Sequence, residues 1–386
     1  HALRRAFARF STSDAVPPTF LEAHATWLPD FALFTALRQR YGTSWTEWPA
    51  PLVHREPADL VAARNELADE IAYQSFLQWL FFEQWARLRA YAHDRGVQVL
   101  GDIPIFPDFD SADVWAHQEI FDLDSAGRPN VVAGVPPDAF SESGQRWGNP
   151  LYRWDALRAR SYDWWVDRLR ATFELVDLVR IDHFRGFQAA WHIPASSETA
   201  REGEWVTGPG AAVFAAARAV LGELPIVVED LGIITRDVRR LRDELGYPGM
   251  KVLQFAFGDD ARNPYLPHNF SENSVVYTGT HDNDTTLGWF RSLPDWQRDR
   301  LLHYLARDGS DIVNDLIRVA YGSVARLAIV PMQDILGLDS SGRMNTPGTA
   351  TGNWSWRFDW GQVDPGRIRW LHDTALLYGR LRPPDA

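Results

Sequence analysis

Apolar residues recur at helical spacing through the first quarter of the chain and gather into short unbroken runs in the remainder. Phe20-Leu21, Trp27-Leu28, Phe31 and Phe34-Leu37 recur at roughly helical spacing, and Ile71 through Tyr91 repeats the pattern with denser aromatics. That period belongs to helices that bury one face. Residues 1–96 therefore read as a helical subdomain, broken at Pro49 and Pro51. The run Trp79-Leu80-Phe81-Phe82 reads as core rather than as a binding platform.

From Val97 onward the period changes. V-Q-V-L-G-D-I-P-I-F at Val97–Phe106 is the first clear strand, and five more follow at Leu175–Ile181, Leu224–Gly232, Met250–Phe257, Ser274–Asp284 and Arg326–Gln333. Continuous apolar runs of this length, alternating with helical patterns, predict a parallel α/β sheet or barrel covered on both faces. Residues 97–386 then form the catalytic portion. From Asp102 to Asp182 is 80 residues, against roughly 30 for one unit of an eight-fold barrel. The excess predicts long irregular loops at about 108–155 and 188–215, rich in Gly, Pro and aromatics and carrying Trp191, His192 and Trp205.

The central run L-V-D-L-V-R-I-D-H-F-R-G-F at Leu175–Phe187 carries two charges that a buried strand does not ordinarily hold. Side chains two apart on a strand share a face, so Arg180 and Asp182 lie side by side. One reading is an internal ion pair that fixes register. The other is a carboxylate kept ionised by a fixed guanidinium at the carboxyl end of a strand.

Composition narrows the ligand more than the fold. A net charge of −12 leaves no basic footprint, so neither nucleic acid nor an anionic membrane surface is expected as a partner. The absence of Cys excludes disulfides, thiolate zinc sites and a cysteine nucleophile. The 18 Trp, 21 Phe and 11 Tyr supply flat rings of the kind that grip sugar faces. No apolar run reaches the length of a membrane span, and the start R-R-A-F-A-R-F lacks a signal peptide's apolar core, which makes the cytoplasm the expected location. The chain begins at His1 inside what reads as a charged helix, and is expected to be a fragment or a processed product.

Three strands end in carboxylates: Asp182, Glu229 and Asp282. Strand ends of a parallel barrel converge on one mouth, and such a trio suits retaining glycoside chemistry, in which one carboxylate attacks the anomeric carbon and one carboxylic acid protonates the leaving oxygen. Asp182, beside Arg180, fits the nucleophile. Glu229, preceded by Ile226, Val227 and Val228, fits the acid/base, because desolvation favours its protonated form. Asp282 would hold ring hydroxyls as the sugar distorts. Each piece alone has another explanation: E-D-L-G could cap a helix, and H-D-N-D could be a turn or a metal site.

Taken in order, the motifs resemble a known family. G-D-I-P-I at Gly101–Ile105, S-A-D-V-W at Ser111–Trp115, G-V-P-P-D-A-F-S-E-S-G-Q-R-W-G-N-P-L-Y at Gly134–Tyr152 and V-R-I-D-H-F-R-G-F at Val179–Phe187 are similar to those of the amylomaltases, 4-α-glucanotransferases related to the α-amylase clan. So are V-E-D-L-G at Val228–Gly232, V-L-Q-F-A-F at Val252–Phe257, L-P-H-N at Leu266–Asn269, G-T-H-D-N-D-T at Gly279–Thr285 and N-W-S-W-R at Asn353–Arg357. The resemblance implies a (β/α)8 TIM-type barrel with helical and loop insertions, of which this chain holds strands three to eight. It implies Asp182 as nucleophile, Glu229 as acid/base and Asp282 as transition-state stabiliser, with Arg180 and His281 contacting the nucleophile and the bound sugar. Asp102, Trp147 and Phe255 would line the groove, with Asp138, Phe140, His183, Asn283 and Asn353 as further substrate contacts. Expected partners are maltooligosaccharides and starch- or glycogen-type α-1,4-glucans, with no cofactor and no metal. Ala139 stands where many relatives carry a larger side chain. The family's amino-terminal strand-helix units are not in this sequence, so an unclosed barrel, unstable or aggregating in isolation, is expected.

Three other readings compete. An α-amylase-clan hydrolase would share the nucleophile and release reducing ends into water. A two-metal hydrolase would use His183, His281, Asp182, Asp282, Glu229 and Asp230, although Arg180 beside Asp182 would repel a cation. A glucan-binding remnant would retain the aromatic contacts without turnover.

Overall fold

The computed structural model describes residues 2–12, 15–137, 141–232, 234–349 and 351–381. It divides into two compact units, residues 1–245 and 246–386.

In the first unit, residues 2–93 carry six α-helices, the longest being Ala68–His93. Helix Leu28–Tyr41 buries Leu28, Ala32, Leu33, Phe34, Ala36 and Leu37 and stops at Gly42, whose left-handed φ of 68° a residue with a side chain adopts only at a cost. Helix Ala68–His93 buries only Tyr73, Gln74 and Phe76. The run Trp79–Phe82, expected in the core, is not: none of its four residues is buried, and Phe81 is 45% exposed. Helical period marks a one-sided stripe, but the partner helices cover the stripe only near its start.

Three parallel strands follow: β1 (Leu100–Pro104), β4 (Leu178–Asp182) and β7 (Ile226–Val228). Asp102 sits opposite Arg180, Pro104 opposite Asp182 and Ile181 opposite Val228. Val179, Ile181, Ile226, Val227 and Val228 are buried, as a strand covered on both faces requires. All three strands are shorter than their apolar runs. β7 ends at Val228, which leaves Glu229 just past it.

The segments expected to be irregular loops also carry regular strands. They form a four-stranded antiparallel sheet of β2 (Val131–Val135), β3 (Gln145–Pro150), β5 (Ala189–Pro194) and β6 (Glu204–Thr207), in the order β3-β2-β5-β6. Its signal was hidden because β2 bulges between Val132 and Gly134. A Cβ on Gly134 would stand 2.1 Å from the Gln145 carbonyl oxygen, so the strands approach this closely only at glycine.

The second unit contains parallel strands β8 (Gly249–Val252), β9 (Ser274–Tyr277) and β10 (Leu327–Ile329), with Met250 opposite Val275 and Ala328 opposite Val276. Its core gathers Leu253, Phe257, Val276, Leu301, Leu316 and Ile317. Here too the runs overestimate the strands. Phe255 lies in a 3-10 turn after β8, and His281 and Asp282 lie on the loop after β9. No described helix is long and apolar enough to cross a membrane.

Candidate active site

The parallel register of β1 and β4 puts Asp102, Arg180 and Asp182 together. Arg180 Nη1 donates to Asp102 Oδ2 at 2.5 Å and Nη2 to Asp182 Oδ1 at 2.7 Å. The Arg180 side chain is 7% exposed, against 40% for Asp102 and 46% for Asp182. The cation is thus held from behind, and both carboxylates remain open to a ligand.

Glu229 is fixed by main chain rather than by a cation. The His183 N–H donates to its Oε2 at 2.9 Å and the Leu231 N–H to its Oε1 at 2.6 Å. Its pKa is nonetheless pushed up to about 7, first by burial and then by the charge of Asp182, against the opposing pull of Arg180 and the Leu231 N–H. At neutral pH this carboxyl can both give and take a proton. The adjoining Asp230 is buried and bound to Arg242 at 2.7 Å, a structural ion pair on the next side chain along.

His183 reaches Glu229 through an unusual backbone. Its φ of 51° is left-handed, an expensive conformation for a residue with a side chain, and it turns the N–H onto the Glu229 carboxylate. Burial and the Arg185 charge hold the imidazole neutral, with its pKa lowered to about 3. Trp147, 40% exposed, stands edge-on to this ring at 4.7 Å. Trp147 lies on β3, so the inserted antiparallel sheet delivers an aromatic face to the loop that follows β4.

In the second unit the loop after β9 carries its own polar cluster. Asp282 Oδ1 accepts from Asn345 Nδ2 at 2.6 Å, and His281 Nε2 is 3.5 Å from its Oδ2. Arg343 donates to the Asp282 carbonyl at 2.8 Å, and Trp354 packs on the His281 ring at 5.1 Å. Asn283 accepts from Thr280 N at 2.9 Å, which closes this loop, and Asn353 accepts from Thr346 N at 2.9 Å, which closes the next. Both amides therefore shape their loops directly. Phe255 is half-buried against Tyr265. Asp138 and Phe140, with Ala139 between them, lie outside the described residues. Among the described residues no group of three or more His, Asp or Glu side chains is placed to hold a metal.

Residues 1–362 match the profile of the family described as 4-alpha-glucanotransferase. The chain belongs to that family. It is similar to the 4-alpha-glucanotransferase of Thermus thermophilus, 52% identical over 371 residues, which cover 94% of this chain and 74% of that protein. It is also similar to the 4-alpha-glucanotransferase of a Synechocystis strain, at 47% identity with 98% of this chain and 77% of that protein covered. Among solved structures it resembles the amylomaltase from Streptococcus agalactiae in complex with acarbose, with a TM-score of 0.95, 36% identity, and 99% of this chain and 78% of that chain covered. Among the described residues each unit thus carries three parallel strands of the α/β type, as the likeness to the amylomaltase fold requires.

Sequence reasoning missed Asn345 and Arg343, which hold Asp282, and Asp334, which is 1% exposed. Asp334 Oδ2 accepts from Thr278 Oγ1 at 2.6 Å and Thr286 Oγ1 at 2.7 Å, and its Oδ1 accepts from Thr286 N at 2.7 Å. Those threonines bracket the loop that bears His281 and Asp282. The only trace of Asp334 in the sequence is one acidic residue inside an otherwise apolar stretch.

Proposed function

We propose that the chain transfers α-1,4-glucan segments by double displacement, using Asp182, Glu229 and Asp282. Asp182 Oδ attacks the anomeric carbon as the bond from that carbon to the leaving 4-oxygen breaks, and Glu229 gives its proton to that oxygen. A glycosyl ester on Asp182 results. An acceptor 4-hydroxyl then passes its proton to the Glu229 carboxylate and attacks the same carbon, and Asp182 leaves. Two inversions retain the α configuration, and proton and bond counts balance.

The observation that carries this reading is the contrast between the two carboxyls of the first unit. Asp182 is gripped by a buried guanidinium, whereas Glu229 is raised to about 7, and environments that set two carboxyls apart mark acid/base from nucleophile. The reading gives Asp282, held by Asn345, the role of stabilising the distorted ring. It assigns Arg180, Asp102, His183, Trp147, His281, Phe255, Asp138, Phe140, Asn283 and Asn353 to the walls of the groove. Expected substrates are maltooligosaccharides and starch- or glycogen-type glucans. A cytoplasmic location goes with the proposal and is checked by cell fractionation.

The test is incubation with maltotriose and separation of products by length. Glucose together with maltopentaose and longer chains is the expected result. Glucose and maltose alone would overturn transfer in favour of hydrolysis.

A further inference from the structure

The side chain of Asp282 is 43% exposed, so packing does not hold it. Two segments place it instead. One is its own loop, which runs from Thr278, just past β9, to Thr286, where helix Thr286–Ser292 begins. The other comes from beyond β10 and brings Arg343 to the Asp282 carbonyl and Asn345 to its carboxylate. Bonds inside the loop fix its shape: Thr280 Oγ1 donates to Asn283 Oδ1 at 2.8 Å, and the Asp282 N–H to Thr280 Oγ1 at 3.3 Å. Gln254 Nε2 steadies it from the side, donating to the Asp284 carbonyl at 2.8 Å. None of these bonds fixes the distance between the loop's two ends.

Asp334 joins the two segments. It lies in the short helix Met332–Ile335 after β10, on the stretch of chain that goes on to Arg343 and Asn345. Arg367, from helix Pro365–Leu377, holds that short helix through the carbonyls of Asp334 at 3.1 Å and Ile335 at 3.0 Å. One carboxylate oxygen of Asp334 accepts from the hydroxyls of both Thr278 and Thr286, and the other accepts from the Thr286 N–H. Capping the helix explains only the last of these bonds, and Thr285 already caps it by accepting from the Gly288 N–H at 3.0 Å. The two hydroxyl bonds reach opposite ends of the loop, and a single oxygen that accepts both sets the span between them. A carboxylate is the side chain that accepts from three donors at once. Burial pushes the Asp334 pKa up, so the fold keeps this group against a desolvation cost.

We infer that Asp334 is a positioning residue for the transfer reaction: by tying together the ends of the loop and anchoring the segment that carries Arg343 and Asn345, it sets where the Asp282 carboxylate stands. The inference rests on the stabilising role proposed for Asp282. That role is exercised on the distorted sugar rather than on the bound substrate, so a displaced Asp282 lowers kcat and leaves KM nearly unchanged.

The experiment measures kcat and KM for maltotriose consumption in Asp334→Ala, Asp334→Asn, Thr278→Val and Leu316→Ala, beside Asp282→Asn, each at a temperature where circular dichroism shows it folded. Asp334→Ala is expected to lower kcat about thirtyfold with KM held within about twofold. Thr278→Val keeps the shape of the side chain, deletes one end of the bridge, and should lower kcat about fivefold; it decides the matter if Asp334→Ala does not fold. Asp334→Asn, whose amide donates to both hydroxyls while its oxygen keeps the Thr286 N–H, should bring kcat back to within about fivefold of wild type. Leu316→Ala opens a cavity in the core of the same unit, loses comparable stability, and should keep kcat within about twofold, which separates position from stability. Unchanged kcat in Asp334→Ala or Thr278→Val, an equal fall in Leu316→Ala, or a rise in KM with kcat intact would overturn the inference, with Asp282→Asn still inactive. Full activity of Asp282→Asn would instead sink the role of Asp282, and this inference with it.

Discussion

Replacing Glu229 by Gln isolates the energetic cost of holding this carboxyl in its pocket. The side chain's pKa moves from 4.5 to about 7 on folding. The folded state favours the protonated form, so the stability it contributes is complete below pH 4.5 and is lost as the pH rises toward 7. A tenfold change in proton affinity is worth about 1.4 kcal/mol. Integrated over the two values, ionisation costs the folded state about 1 kcal/mol at pH 5 and about 3 kcal/mol at pH 8.5. Because Glu229 is half-buried, solvent screening reduces the difference to roughly 2 kcal/mol. Gln also gives up one of the two main-chain bonds from His183 and Leu231, costing about 1 to 3 kcal/mol. That loss is the same at both pH values and cancels in the comparison. Urea unfolding of the protein and of Glu229→Gln at pH 5 and pH 8.5 should therefore show the variant gaining roughly 2 kcal/mol relative to wild type at the higher pH. A stability difference that is equal at the two pH values would mean that burial and Asp182 do not tune this carboxyl, and the acid/base assignment would lose its physical basis.

The same carboxyl should set the alkaline limb of kcat/KM for maltotriose disproportionation near pH 7, falling about tenfold per pH unit above it; a limb with no break between pH 6 and 9 would count against the role. Asp182→Asn keeps the shape and removes the nucleophile, and is expected to lower kcat by about 10³ or more, with the folded state checked by circular dichroism. Arg180→Met leaves Asp102 and Asp182 facing each other without their shared cation and removes the charge that holds the Glu229 pKa down. Its residual pH profile should therefore shift to higher pH while kcat falls, and a shift to lower pH would refute the electrostatic argument. Asp334→Ala strands the Thr286 N–H and two threonine hydroxyls and should cost about 2 to 4 kcal/mol in urea unfolding. Asp334→Asn, whose amide the hydroxyls can accept from, should recover most of that.

The hydrophobic pattern by itself determined the parts list: a helical first quarter, six strands, and the two-residue spacing that puts Arg180 beside Asp182. Those follow from local periodicity, which a single chain carries in full. The motifs carried the family as well, because Asp182, Glu229 and Asp282 each stand in a distinctive run of neighbours. Tertiary structure decided the rest. The antiparallel sheet that brings Trp147 to His183 depends on a bulge and on a close approach at Gly134, which alternation cannot reveal. The partner of Asp102 is Arg180 because β1 and β4 pair in one register out of several. Whether the Phe81 ring would be core or exposed depended on where the neighbouring helices end. The protonation of Glu229 depends on how deeply its pocket closes and on how near a second charge lies. Burial and proximity are sums over residues distant in sequence, and these come together only when the chain folds.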